Sequence, residues 1–136
     1  MSGFLLDTNV VSELRRRKRN QGVVEWLEAT DDTLLHLSVI TLGEIRRGTR
    51  KLHLHDPTQA AHLETWLDGL RKSFAARTLP IDEPVALRWG ELGIHQPISV
   101  ADGLIAATAL HHNLTLVTRN VSDFEPNQIP VLNPFT

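Results

Sequence analysis

The stretch ADGLIAATALHHNLTLV, residues 101–117, sets the reading of the fold. A segment with helical spacing, Ala101 to His111, runs almost at once into Leu114-Thr115-Leu116-Val117, a short apolar run that reads as a strand. Working outward, the same alternation recurs. Phe4-Leu5-Leu6, Leu34-Leu35-His36-Leu37, Thr78-Leu79 and Val131-Leu132 are further short apolar runs. Between them lie helical segments from about Val23 to Ala29, Thr41 to Arg50 and Glu83 to Leu92. A further helix carries Leu63, Trp66, Leu67, Leu70 and Phe74 on one face, the i, i+3, i+4, i+7 pattern. Strands alternating with helices predict an α/β fold, with βαβ units, right-handed crossovers and a parallel sheet covered on both faces. In such sheets, ligands sit in the crevice beyond the carboxyl ends of the strands.

The totals fit one such unit. With 136 residues, 41% hydrophobic and 22% charged, the chain has the size and composition of a single globular domain. It contains no repeat and no Pro/Gly-rich linker. With no cysteine, disulfides and thiolate metal sites are excluded. The opening Met1-Ser2-Gly3-Phe4-Leu5-Leu6-Asp7 has no basic start and too short an apolar run for a signal peptide. No stretch approaches the ~20 apolar residues that span a bilayer. The expectation is a soluble, cytoplasmic protein with no membrane contact. A net charge of −2 gives no bulk attraction for nucleic acid. The distribution is more informative: Arg15-Arg16-Arg17-Lys18-Arg19 is an unbroken cationic run, and Arg46, Arg47, Arg50 and Lys51 form a second group. Each run alone reads as a solvated helix end; two on an acidic chain are consistent with a local phosphate-binding surface.

Four acids occupy positions that the predicted sheet would bring together. Asp7 follows the first strand and Asp123 follows the strand ending at Val117. Glu44 stands three residues after Thr41 and Asp102 three after Ser99, both at capping-box spacing in the first turns of helices. Taken singly, each is as well explained as a cap or a turn residue. Taken together, they converge on one crevice, where unpaired carboxylates repel one another and their pKa values rise. A divalent cation relieves that repulsion, and oxygen ligands without cysteine point to Mg²⁺ or Mn²⁺ rather than Zn²⁺. Such an ion serves phosphodiester hydrolysis, by acidifying an attacking water and stabilising the oxygens of an in-line displacement. That chemistry does not distinguish RNA from DNA.

These residues also carry a family resemblance. Leu5-Leu6-Asp7-Thr8-Asn9-Val10-Val11-Ser12-Glu13 resembles the opening strand of PIN-domain ribonucleases, in particular toxins of the VapC type and their FitB-like branch. Ser38-Val39-Ile40-Thr41-Leu42-Gly43-Glu44-Ile45-Arg46-Arg47-Gly48 resembles that family's second motif. Ala101-Asp102-Gly103-Leu104-Ile105-Ala106-Ala107-Thr108-Ala109 resembles the third, and Leu116-Val117-Thr118-Arg119-Asn120-Val121-Ser122-Asp123-Phe124 the fourth. The likeness covers essentially the whole chain, in the family's order.

The resemblance implies a PIN-like three-layer α/β/α fold with a central, mostly parallel sheet of about five strands, residues 1–136 forming one domain. It implies a Mg²⁺-dependent endoribonuclease, with Mn²⁺ as a substitute, acting as the toxin of a toxin–antitoxin pair. The expected partners are RNA as substrate, a cognate antitoxin, a second copy in a homodimer and higher assembly, and operator DNA only through the antitoxin. Asp7, Glu44, Asp102 and Asp123 are the expected catalytic residues, with Asp7 and Asp102 holding the metal. For the fourth acid, relatives differ between the positions of Asn120 and Asp123. A carboxylate is the stronger ligand for a hard cation, so Asp123 is assigned to the ion's water shell, with Asn9, Thr118 and Asn120 in support. Arg16, Arg17 and Arg19 are expected to hold the RNA backbone.

Other readings compete. A histidine acid/base pair acting through the 2′-hydroxyl needs no metal. A phosphoaspartyl enzyme with Asp7 as nucleophile fits poorly, because Asn9 stands where such enzymes carry a second Asp. A PIN-like binding module acting with its antitoxin in DNA-bound autoregulation would gain nothing from clustered acids. The histidines of His53-Leu54-His55 and His111-His112 read as exposed helix ends rather than metal ligands. Trp26 and Trp66 read as core or a dimer face rather than base-stacking platforms.

Overall fold

The computed structural model describes residues 3–136; Met1 and Ser2 of the opening stretch lie outside the described residues. In chain order the elements are β1 (Phe4–Leu6), α1 (Thr8–Leu14), α2 (Gln21–Glu28), β2 (Leu35–Ser38), α3 (Val39–His53), α4 (Pro57–Ser73), β3 (Thr78–Leu79), α5 (Glu83–Gly90), α6 (Val100–His111), β4 (Thr115–Val117), α7 (Val121–Phe124) and β5 (Val131–Leu132). The strands form one sheet in the order β3-β2-β1-β4-β5, and every pairing is parallel. The α/β expectation is borne out.

Helices cover both faces. On one, Leu6, Val10, Val11, Val23, Leu37, Leu67 and Val117 close a core against α1 to α4. On the other, Leu5, Ile105, Ala106, Ala109, Leu116 and Phe124 close a second core around α6. Ile105, Ala106, Ala107 and Ala109 are fully buried, so α6 is apolar on nearly every side, as a helix inside a fold must be. Among the described residues no helix is long and apolar enough to cross a membrane.

From β1 the chain moves outward to β2 and β3, then returns to the other side of β1 as β4. The strand order therefore reverses beside β1, and the crevice beyond the carboxyl ends of β1 and β4 is the place where such sheets bind ligands. Trp26 and Trp66 pack against the first core, as expected.

Three local expectations change. The segment Thr8–Leu14 is a helix, too short at 7 residues to show periodicity. Strand β2 is Leu35–Ser38, because Asp32–Leu34 forms a 3₁₀ turn capped by Asp31. Helix α3 starts at Val39, directly after β2, with the Ser38 hydroxyl accepting from the Ile40 N–H at 3.0 Å. Thr41 is therefore not its cap but a buried residue inside the first turn, and Glu44 lies in the second turn rather than the first.

Candidate active site

Asp7 is the residue where β1 becomes α1, and only 4% of its surface is exposed. It caps the new helix, its Oδ1 accepting from the Thr8 N–H at 2.8 Å. Its Oδ2 accepts from the Thr118 hydroxyl at 2.8 Å and from the Asn9 amide at 3.2 Å. Thr118, at the end of β4, in turn accepts from Asn9 Nδ2 at 3.3 Å and from the Asn120 N–H at 3.0 Å. A carboxylate offers roughly four acceptor sites. Three protein donors leave Asp7 about one, so the helix cap and the functional role are compatible.

The other acids gather from both sides of the sheet edge. Glu44, exposed on α3, takes a 2.6 Å hydrogen bond from the Thr8 hydroxyl, which also lies 3.1 Å from that of Thr41. Asp102 lies in the first turn of α6, where Ser99 caps its N–H at 3.2 Å. Asp123 is exposed in the single turn of α7. Burial first, with the charges of Asp102 and Glu44, pushes the Asp7 carboxyl up to about 6 against the bonds from Thr118 and Thr8. Asp102 is also raised, first by burial and then by Asp123 and Glu44, against the Ser99 bond. The four acids thus feel one another. Among the described residues none of them has an ion pair; the ion pairs involve Glu13, Glu64 and Asp68.

This donor set fits a hard divalent cation in one particular way. Among the described residues no three His, Asp or Glu side chains already stand as an ion cage. Mg²⁺ does not require one, since it is held by one or two carboxylates and keeps several waters. Buried Asp7 and half-buried Asp102, neither with a cationic partner among the described residues, are the pair that would hold it. Asp102 thus carries a testable liability. Its ionised form is penalised in the fold, a cost that grows as pH rises through the carboxylate range and is full at neutral pH. Because Asp102 is only half-buried and water screens its charge, Asp102→Asn should stabilise the metal-free protein at pH 7 by at most ~1 kcal/mol, about 3 °C in Tm. Mg²⁺ should raise the wild-type Tm more than the variant's. Equal shifts in calorimetry would count against the site.

The basic residues divide. Arg46 and Arg50 pair with Glu64 of α4. Arg47 and Lys51 instead line an opening of about 680 Å³ shared with Glu44 and Val100. Arg15, with Thr8, Ser12 and Trp66, lines a 280 Å³ cavity on the other side of Glu44. Arg16 forms a 3.2 Å ion pair with Glu13, while Arg17 and Arg19 are exposed. His53 and His111 end α3 and α6.

Three features were not anticipated. Thr8 hydrogen-bonds across 36 positions to hold Glu44, and its only sequence signal is adjacency to Asp7. Glu13 is a 5%-exposed acid whose Oε2 accepts from the Asn20 N–H at 2.7 Å, closing the basic loop on itself. Trp89 is 38% exposed and lies against Gly103, where an added Cβ would come within 2.9 Å of the indole.

Comparison with known proteins agrees with this fold. Residues 4–125 match the PIN domain. The chain is 38% identical to Toxin FitB of Neisseria gonorrhoeae, over 97% of this chain and 98% of that protein. It is 32% identical to VapC ribonuclease Y4jK of Sinorhizobium fredii, over 97% of each. Among solved structures, FitAB bound to an IR36 DNA fragment superposes with a TM-score of 0.87 at 37% identity, covering 98% of this chain and 96% of that one.

Proposed function

The chain belongs to the PIN-domain family, and from that premise we propose that it is a Mg²⁺-dependent endoribonuclease, the toxin of a toxin–antitoxin pair, hydrolysing RNA phosphodiester bonds at Asp7, Glu44, Asp102 and Asp123. One observation carries this reading. A buried carboxylate at the switch point of the sheet is raised to about 6, feels two further acids, and has no cationic partner among the described residues. A scaffold would gain only instability from that arrangement. The names of the relatives, a toxin and a ribonuclease, each matched over nearly its whole length, support it.

Asp7 and Asp102 would hold the ion. When bound, Mg²⁺ stabilises negative charge developing on the phosphate oxygens and makes a nearby water more acidic. Glu44 has one oxygen engaged by Thr8, leaving Oε2 to take the proton of the attacking water. Asp123, at the exposed rim, orients water, and Asn9 with Thr118 fixes the Asp7 carboxylate. No step uses the 2′-hydroxyl, so the products carry the phosphate left by water attack rather than a cyclic phosphate.

A toxin acting in the cytoplasm needs restraint, and we include a cognate antitoxin and a homodimer in the proposal. DNA contact would come through that complex, in keeping with the DNA-bound FitAB relative. The decisive assay is purified protein on an RNA panel with Mg²⁺, Mn²⁺ or EDTA. Cleavage is expected with either ion and to be abolished by chelator. Undiminished cleavage in excess EDTA would replace the metal mechanism with a histidine one.

A further inference from the structure

Arg119 directly follows Thr118, and its position relative to the crevice is fixed on two sides. Its backbone N–H donates to Asn9 Oδ1 at 3.1 Å, while the amide of the same Asn9 donates to Asp7 at 3.2 Å. One side chain therefore links Arg119 to the buried carboxylate. The guanidinium carbon lies 4.8 Å from the centre of the Phe135 ring. Phe135 is fixed in turn. Thr136 takes hydrogen bonds from Asn20 Nδ2 to its carbonyl (3.0 Å) and from the Gly22 N–H to its hydroxyl (3.2 Å). A Cβ at Gly22 would fall 2.4 Å from the Pro134 carbonyl, so residues 134–136 lie hard against the start of α2.

The charge of Arg119 is not neutralised by this arrangement. Among the described residues it forms no ion pair. Its charge reaches Glu13, where, after the Asn20 N–H bond and Arg16, it helps hold that carboxyl below the usual range. Yet Glu13 is already engaged by Arg16 and Asn20, and Arg119 has no carboxylate partner of its own among the described residues. A guanidinium held over an aromatic ring in this way has N–H groups at its edge that can still grip a phosphate.

We infer that Arg119, braced by Phe135, binds an RNA backbone phosphate next to the scissile one, and that it connects the catalytic carboxylates to the Arg15–Arg19 loop. This rests on the ribonuclease reading above. Arg119 touches substrate; Phe135 is a positioning residue.

The test is binding of a labelled single-stranded RNA decamer across a salt series, in the Asp7→Asn background so that nothing is cut. Arg119→Gln should weaken binding about tenfold and flatten the plot of log K against log salt by roughly 0.7, one single-strand phosphate. Arg119→Lys keeps the charge but loses the planar stack, so it should restore the slope while binding several-fold more weakly than Arg. Phe135→Leu should do the same through loss of the brace. In the cleaving protein, Arg119→Gln should act mainly on KM. An unchanged salt slope in Arg119→Gln, with the parent still binding RNA, overturns this inference alone and turns Arg119 toward a protein partner. A parent that shows no salt-dependent RNA binding overturns it together with the ribonuclease reading.

Discussion

Asp7→Asn is expected to cut RNA at about a hundredth to a thousandth of the wild-type rate at saturating Mg²⁺, while remaining folded. The substitution keeps the shape and the cap, because the amide oxygen can still accept from the Thr8 N–H. It removes the charge, and it turns an NH₂ toward the Asn9 amide, which donates to that position in the wild type. Loss of an ion ligand forfeits several kcal/mol of transition-state charge stabilisation, and each 1.36 kcal/mol is tenfold in rate. The same carboxyl makes a pH prediction whose sign can be worked out. With the group raised to about 6, it is largely ionised at pH 7 and largely protonated at pH 5, so metal-limited activity should fall about tenfold per unit below pH 6. Because proton and Mg²⁺ compete for one carboxylate, raising Mg²⁺ should move that midpoint downward.

Stability of the metal-free protein should run the other way. A raised carboxyl binds its proton more tightly in the fold than in the unfolded chain, so stability is lost as pH climbs from 3.8 through about 6. For this buried group the shift corresponds to roughly 3 kcal/mol. His112, whose imidazole is held below its usual range by burial, contributes with the opposite sign in the same window, so the comparison is with the variant. A pH 5-to-7 change in melting that is the same in Asp7→Asn as in wild type, or Asp7→Asn cutting at more than half the wild-type rate, would contradict the assignment.

The sequence was most legible where hydrophobic periodicity speaks directly. All five strands were apparent from their apolar runs, since strands buried on both faces need no alternation. Helix starts were harder. Ser38 is both the last residue of β2 and the cap of α3, and a junction without a loop leaves no turn signal to mark it. Thr41, with an acid three positions on, mimicked a capping box, yet its side chain is buried. Helix α1 offers 7 residues and two adjacent β-branched valines, too few for a helical period. Within the crevice, the acids stood out because they fall at element ends, which topology converts into proximity. Asn9 and Thr118, expected beside the acids, hydrogen-bond Asp7. Other contacts gave no such signal, because Thr8 to Glu44, Arg119 to Phe135 and Glu13 to Asn20 are pairings of side chains or termini that no local pattern encodes.

The relative weight of Asp123 and Asn120 yields the second large effect. Helix α7 is anchored by Phe124, which is fully buried in the second core, so its neighbour Asp123 is held at the rim with its carboxylate exposed. From there its charge raises Asp102, which places it within electrostatic reach of the pair proposed to hold the ion. Asn120 serves the crevice differently. Its backbone N–H donates to the Thr118 hydroxyl, and its carbonyl accepts from the Asp123 N–H at 3.1 Å, while its side chain caps nothing in α7. The Asn120 contacts that matter here are therefore main-chain and survive truncation to Ala. Asp123→Asn should lower cleavage by roughly 10- to 100-fold, the usual cost of losing a group that orients a metal's surroundings, and raise the Mg²⁺ needed for half-maximal rate. Asn120→Ala should cost less than tenfold. Asn120→Asp adds a carboxylate to an acidic crevice and should lower the Mg²⁺ requirement at some expense in metal-free stability. Rate measured against Mg²⁺ concentration separates these cases. A wild-type curve for Asp123→Asn beside an inactive Asn120→Ala would exchange the two roles, leaving Asp123 as a surface residue of α7 and giving the Asn120 amide direct contact with the phosphate.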